Sequence, residues 1–244
     1  MFLTAPQSSH FRPEVFAGKA PRENHFDWGL YYRFKDQREA FWRERIDTEP
    51  AIQQLASAHF TAFQRSVKKT LGLLAPSPSV LDVGLSSEQL DRAILLHTGG
   101  RVTVLDVEAD AAQSYRDAFG DRGAFVLGDV ISHAAVPANC GQYDLVYSTG
   151  LIEHFPDKTD IVGAHVSLTK PGGLVLVYVP IDTPVQRSLV GLAAEFENFG
   201  HRELMTPEEL RQACVHPELE VVAADEVGFF AALWARRRSA AHSS

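Results

Sequence analysis

The stretch VLDVGLSSE, residues 80–88, decides how this chain folds. Val80, Leu81 and Val83 make a short apolar run of the kind that becomes a fully buried strand. Asp82 interrupts it, and a carboxylate inside such a strand must find hydrogen-bond donors: either it ties the backbone amides of the following loop or it meets a ligand directly. Gly84 supplies the backbone freedom that a tight strand-to-helix turn needs. Where nucleotide-binding loops carry further glycines, this chain reads Leu85-Ser86-Ser87-Glu88. Ser86 is a good N-cap, with Gln89 three residues on as capping-box partner, so the helix start is locally well specified. Glu88 in the first turn suits the helix dipole, but near a bound anion it costs roughly 1 to 4 kcal/mol at ~4 Å, depending on exposure.

Working outward, the pattern alternates. SSEQLDRAILLH (86–97) predicts a helix, RVTVLDV (101–107) a strand, and EADAAQSYRDAFG (108–120) a helix ending at Gly120. AFVLGDV (124–130) and YDLVYST (143–149) are strands, DKTDIVGAHVSLTK (157–170) is a helix, PGG (171–173) makes a turn, and LVLVYVP (174–180) is a strand. TPEELRQAC (206–214) is a short helix with Thr206 as N-cap, Pro207 at its first position and Glu209 completing a capping box. LEVVAADEV (219–227) and FFAALWARR (229–237) are strands separated by a turn, so they pair antiparallel. Alternating strands and helices mean a parallel α/β sheet covered on both faces.

In such a sheet a ligand lies beyond the carboxyl ends of the strands. Asp82, Gly84, Asp106, Asp129, Thr149 and Gly150 all fall there. Asp106 ends a strand about 20 residues past the glycine turn, where an acid accepts from both ribose hydroxyls of a nucleoside. Asp129 is placed to accept from an exocyclic amine such as that of adenine. Asp106 or Asp129 alone is more often a turn or cap residue; the three acids together carry the weight.

Before this unit, residues 1–27 are rich in Pro, His and Ser, and part of that segment reads as disordered. RFKDQREAFWRERI (33–46) puts Phe34, Phe41, Trp42 and Ile46 on a common side of a helix. AIQQLASAHFTAFQRSVKKTLGLL (51–74) repeats apolar residues every three or four positions until APSPS (75–79) breaks it. The net charge of −8 argues against a general nucleic-acid binder. No apolar segment reaches the roughly 18 residues of a membrane span, so no membrane is expected. Cys140 and Cys214 form no disulfide framework and read as reduced thiols of a cytoplasmic protein. Without a CxxC pair or HExxH, no metal is expected.

VLDVG (80–84), VTVLD (102–106), VLGDV (126–130), YDLVYSTGLIEHFPD (143–157), LTKPGGLVLVYVP (168–180) and FGHRELMTPEEL (199–210) resemble, in order, the motifs of the class I S-adenosylmethionine-dependent methyltransferases of small-molecule type. The resemblance runs from Ser79 to about Arg237. It implies a Rossmann-like seven-stranded, mostly parallel sheet of order 3-2-1-4-5-7-6 with an antiparallel last strand and an N-terminal helical lid. It divides the chain into an N-terminal segment and lid (1–76), a cofactor-binding domain (77–238) and a flexible tail (239–244). Ser86 and Glu88 stand where the family's second and third loop glycines would be, so the loop is degenerate. The implied cofactor is S-adenosylmethionine, with S-adenosylhomocysteine as product, held by Asp82, Gly84, Leu85, Ser86, Asp106, Val107, Asp129, Val130, Thr149 and Gly150. His154 and His201 are the candidate catalytic residues, and Trp28, Tyr31 and Tyr32 of HFDWGLYY (25–32) the candidate substrate wall. The implied activity is methyl transfer to a small-molecule acceptor of secondary metabolism by a monomer or homodimer. The altered loop is the feature that favours the alternative reading, a non-methylating cyclase, lyase or non-catalytic partner subunit. An NAD(P)-dependent oxidoreductase keeps the ribose acid but lacks G-x-G-x-x-G.

Overall fold

The computed structural model describes residues 26–85, 88–109, 115, 119–194 and 199–239. The side chains of Leu30, Tyr32, Lys35 and Glu88 are outside the described set. So are residue 86, most of the helix expected over 108–120, the start of the Pro-rich segment and the end of the expected tail.

Three helices open the described chain: α1 (Trp28–Arg33), α2 (Lys35–Thr48) and α3 (Pro50–Leu73). The alternating unit follows: β1 (Ser79–Val83), α4 (Glu88–His97), β2 (Arg101–Asp106), β3 (Gly123–Leu127), α5 (Val130–Ala134), β4 (Tyr143–Thr149), α6 (Thr159–Leu168) and β5 (Thr169–Pro180). Then come α7 (Pro184–Ala193), α8 (Pro207–Ala213), β6 (Leu219–Val227) and β7 (Phe230–Arg237). The seven strands lie in the order β3-β2-β1-β4-β5-β7-β6. Pairs among β1 to β5 are parallel, while β7 runs antiparallel to both β5 and β6. This is the architecture the motifs implied. The order reverses between β1 and β4, which puts the switch point at the end of VLDVG.

Both faces of the sheet are buried, which is why its strands read as apolar runs. Leu81, Val83, Val146, Val175 and Val177 point to one face and meet Ile161, Val162 and Val166 of α6. Val80, Val104, Leu145, Tyr147, Leu176 and Trp234 point to the other and meet Phe63 and Val67 of α3 with Leu90 and Ile94 of α4. Burying such a side chain contributes about 1.5–3 kcal/mol. Polar contacts fix α3 in register: Trp234 Nε1 donates to Thr70 Oγ1 at 3.0 Å, and the Tyr178 and Ser66 hydroxyls lie 3.0 Å apart.

Two local readings change. PGG is not a turn ahead of the strand: α6 ends at Leu168, β5 begins at Thr169, and since Tyr143 pairs with Thr169 while Leu145 already pairs with Leu174, residues 170–173 bulge within one long β5. Helix α7 escaped the periodicity search, although Thr183 caps it by accepting from Gln186 N at 3.1 Å and Pro184 opens it. That Thr-Pro start is the signal that found α8, whose capping box is present as expected.

Candidate functional site

Gly84 turns the chain out of β1 at φ +89°, and its N–H donates to the Leu105 carbonyl at 2.8 Å. Leu85 follows at φ +43°, a left-handed conformation uncommon for a side chain of its size. Asp82 is fully buried and turned toward the α4 side of the sheet. The Tyr147 hydroxyl bonds it and donates to Asp91 Oδ1 at 2.7 Å. Burial and these two acids hold the Tyr147 phenol far above its ordinary value, so it stays a proton donor. Asp82 therefore sits beneath the loop, in a buried group with Tyr147 and Asp91.

Asp106 is 3% exposed at the end of β2, with Oδ1 accepting from Glu108 N at 2.8 Å. Beside it, Val107 is 48% exposed, and Leu127, the register partner of Asp106, is 60% exposed. Asp129 caps α5, its Oδ1 accepting from Ser132 N at 2.8 Å, and Val130 is buried behind it. At the end of β4, Thr149 Oγ1 is buried without a hydrogen-bond partner, and Gly150 turns at φ +70°. A Cβ at Gly150 would stand 3.5 Å from Glu153 Oε1.

Gly150 opens onto a cavity of about 470 Å³ between the N-terminal helices and the carboxyl ends of β4 and β5. That size lies within the range of small-ligand sites. Phe26, Tyr31, Trp42, Phe199, Phe229 and Phe230 supply aromatic walls. Phe26 is tied to the 199–200 loop by a bridge to Gly200, and Asp27 N donates to the Phe199 carbonyl at 2.7 Å. Helix α2 turns Arg38, Trp42 and Ile46 to the cavity, and α7 turns Gln186, Leu189 and Val190 to it. The helical spacing anticipated for Trp42 and Ile46 holds, while Arg38 on the same face went unnoticed because it is charged.

Glu153 and His154 form the polar floor, and both line the cavity. Glu153 is 1% exposed, and burial pushes its carboxyl up to about 8, against the pull of Arg202 and Lys158. Its Oε2 has no hydrogen-bond partner. His154 stacks on Phe26 at 3.7 Å between ring centroids. Burial pushes its imidazole down to about 3, so it is neutral. Its Nδ1 lies 2.9 Å from the His201 carbonyl, which only accepts, so the proton is on Nδ1 and Nε2 carries the lone pair. That Nε2 is 3.7 Å from Glu153 Oε1.

Of the other residues singled out from sequence, Tyr31 lines the cavity beneath the Arg38 guanidinium, 3.6 Å from its ring centroid. Trp28 packs edge-on against His154 at 5.3 Å, supporting the floor. The Tyr32 side chain and Ser86 lie outside the described residues. The His201 ring is engaged by Glu203 Oε1 at 2.9 Å, and Lys158 holds the other carboxylate oxygen of Glu203 at 2.6 Å. His201 meets the site through its backbone carbonyl. Sequence reasoning missed Glu153, Arg38, Gln186 and Arg202. Only Glu153 had a signal: an acid beside a histidine just past a strand end.

A family model described as a methyltransferase domain matches residues 55–224. The ubiquinone biosynthesis O-methyltransferase of Serratia proteamaculans (strain 568) is 37% identical over 100 residues, 40% of this chain and 40% of that protein. The chain spans between 40% and 58% of the length of the first curated relatives it matches. Among solved structures, human N-acetylserotonin methyltransferase in complex with SAM superposes with a TM-score of 0.59 at 19% identity, covering 93% of this chain and 62% of that one. Geranyl diphosphate C-methyltransferase of Streptomyces coelicolor A3(2), solved with S-adenosyl-L-homocysteine, superposes with a TM-score of 0.56 at 12% identity, covering 71% and 76%. At these identities the structural likeness carries the fold.

Proposed function

The chain belongs to the methyltransferase domain family, and on that premise we propose that it transfers a methyl group from S-adenosylmethionine to a small hydroxylated acceptor held in the aromatic cavity. The observation that carries this reading is the run from Thr149 and Gly150 at the end of β4 to Glu153 and His154, which sets the cavity floor beside the switch point between β1 and β4. On the cofactor side, Asp106 is a buried acid at the position for the ribose hydroxyls. Val107 and Leu127 offer exposed apolar faces to a flat base. The Asp129 carboxylate and the turn at Gly84 complete a set that fits a nucleoside sulfonium. Leu85, Val130, Thr149 and Gly150 belong to that set in this reading, with Asp82 holding the loop from below. In this reading residues 77–238 form the cofactor-binding domain, and the helices α1 to α3 of the N-terminal segment contribute the lid.

Bound S-adenosylmethionine supplies an activated methyl group, so the chain must position the acceptor, exclude water and take a proton. A built base is of no use to an acceptor that is already a free nucleophile at neutral pH; it suits a hydroxyl. With S-adenosylmethionine bound, the acceptor's oxygen would take the activated methyl group and release the thioether, and the acceptor's hydroxyl proton would pass to Glu153, beside His154. Glu153 takes the proton in its ionised form, a fraction that grows as pH rises toward about 8, and neutral His154 holds its Nε2 lone pair 3.7 Å from Glu153 Oε1. His201 is a positioning residue, since its carbonyl fixes the tautomer of His154.

The test is calorimetric titration with S-adenosylhomocysteine, with NADH as control. Micromolar binding of the first alone is expected, with Asp106→Ala losing it. A folded protein that gives no heat overturns the reading and leaves a scaffold or partner role.

A further inference from the structure

The cavity carries more charge than hydroxyl binding alone requires. The chain is acidic, at −8 overall, yet the charged side chains on this wall are Arg38, Arg202 and Glu153. Arg202 bears on Glu153. Arg38 lies higher on the wall, its guanidinium flat over Tyr31 at 3.6 Å and 5.6 Å from the Phe199 ring centroid. Its Nε is buried without a hydrogen-bond partner. A planar guanidinium held by stacking presents its N–H fork edge-on, and that fork matches a carboxylate bidentately. The Nε side of the fork is closed off by the protein, so a ligand in the cavity meets the terminal N–H groups of the guanidinium.

Resting on the reading above, we propose that the acceptor is an amphipathic carboxylic acid, its carboxylate seated on Arg38, its ring against the aromatic walls and its methyl-accepting hydroxyl at Glu153. The spacing suits this. Arg38 sits 3.6 Å from the Tyr31 centroid, Tyr31 5.6 Å from Phe26, and Phe26 3.7 Å from His154. Two rings thus separate the guanidinium from the base, so the acid anchors the acceptor at one end while its hydroxyl reacts at the other. Glu153, held largely protonated at neutral pH, leaves the arginines as the cavity's fixed charges. A single planar fork set in apolar walls matches a monoanion. A phosphate dianion would call for more donors.

The probe is 4-hydroxycinnamate against its methyl ester, followed by tryptophan fluorescence with and without saturating S-adenosylhomocysteine, since Trp42 is in the wall. The acid is expected to bind about tenfold more tightly than the ester, less so at high salt. Arg38→Gln should erase that preference while leaving S-adenosylhomocysteine affinity unchanged, and Arg38→Lys should restore part of it. Equal or tighter binding of the ester overturns the proposal, as does a preference that survives in Arg38→Gln. So does failure of both compounds to bind at millimolar concentration. Loss of S-adenosylhomocysteine binding in the unmodified protein would instead sink the methyltransferase reading, and the acid–ester comparison without it still decides the anion site.

Discussion

Replacing Glu153 by Gln should make the protein more stable, and by an amount that grows with pH. The carboxyl ordinarily titrates at 4.5 and is raised to about 8 by burial in the fold. Below 4.5 both folded and unfolded chains hold the proton, and Gln is a fair isostere. Between 4.5 and about 8 the unfolded chain ionises while the folded chain keeps its proton. A raised folded value thus means stability that is fully present below 4.5 and lost as pH rises through 8. The limiting slope is about 1.4 kcal/mol per pH unit, a ceiling of roughly 5 kcal/mol across that window, and relaxation with water penetration brings it to roughly half. The assay is urea unfolding of both proteins at several values across the window, plotted as the difference in unfolding free energy with the denaturant slope held common. Most other titrating groups cancel in that difference. A difference that stays flat with pH refutes the buried, proton-holding Glu153 and removes the base from the proposed chemistry. The same variant should lose about a hundredfold or more in methyl transfer, so it trades activity for stability.

The histidines carry the opposite sign. His154 and His165 are lowered by burial to about 3 and about 4, so both are neutral when folded, and stability present above 6.5 is lost as pH falls toward those values. Acid unfolding followed by circular dichroism should begin at lower pH in His154→Gln than in the parent. Gly84→Ala, at φ +89° with open space around the added Cβ, should cost about 1 kcal/mol through backbone strain and weaken S-adenosylhomocysteine binding; unchanged binding would separate the turn from the cofactor. Tyr147→Phe leaves Asp82 and Asp91 buried without their shared donor and should cost roughly 1–3 kcal/mol in urea unfolding, with a parallel loss of S-adenosylhomocysteine affinity.

The sheet was legible because its instructions are local. Apolar runs such as VLDV and LVLVYVP specify strands buried on both faces, the helices between them dictate parallel pairing, and the single turn before β7 forces the one reversal. The motif order then supplied the strand order, and the strand-end position of Asp106 and Asp129 followed from it. Asp82 was ambiguous because one residue cannot report which side of a sheet it faces; Tyr147, 65 positions on in the chain by their numbers, settles that it lies under the loop.

The sequence by itself determined the alternating α/β framework and the strand ends where a nucleoside would lie, because periodicity and turn chemistry act over a few residues; the strand order came from the resemblance of its motifs. Tertiary structure decided the cavity. Glu153 is an ordinary acid in IEHF until Phe26, Phe199 and Gly150 close over it and strip its water. His154 gains its tautomer from the carbonyl of a residue 47 positions away. Arg38 reads as one more solvated charge on α2 until Tyr31 lies beneath it and the cavity opens beside it. Desolvation is set by whichever segments pack against a group, and here those segments are far apart in the chain.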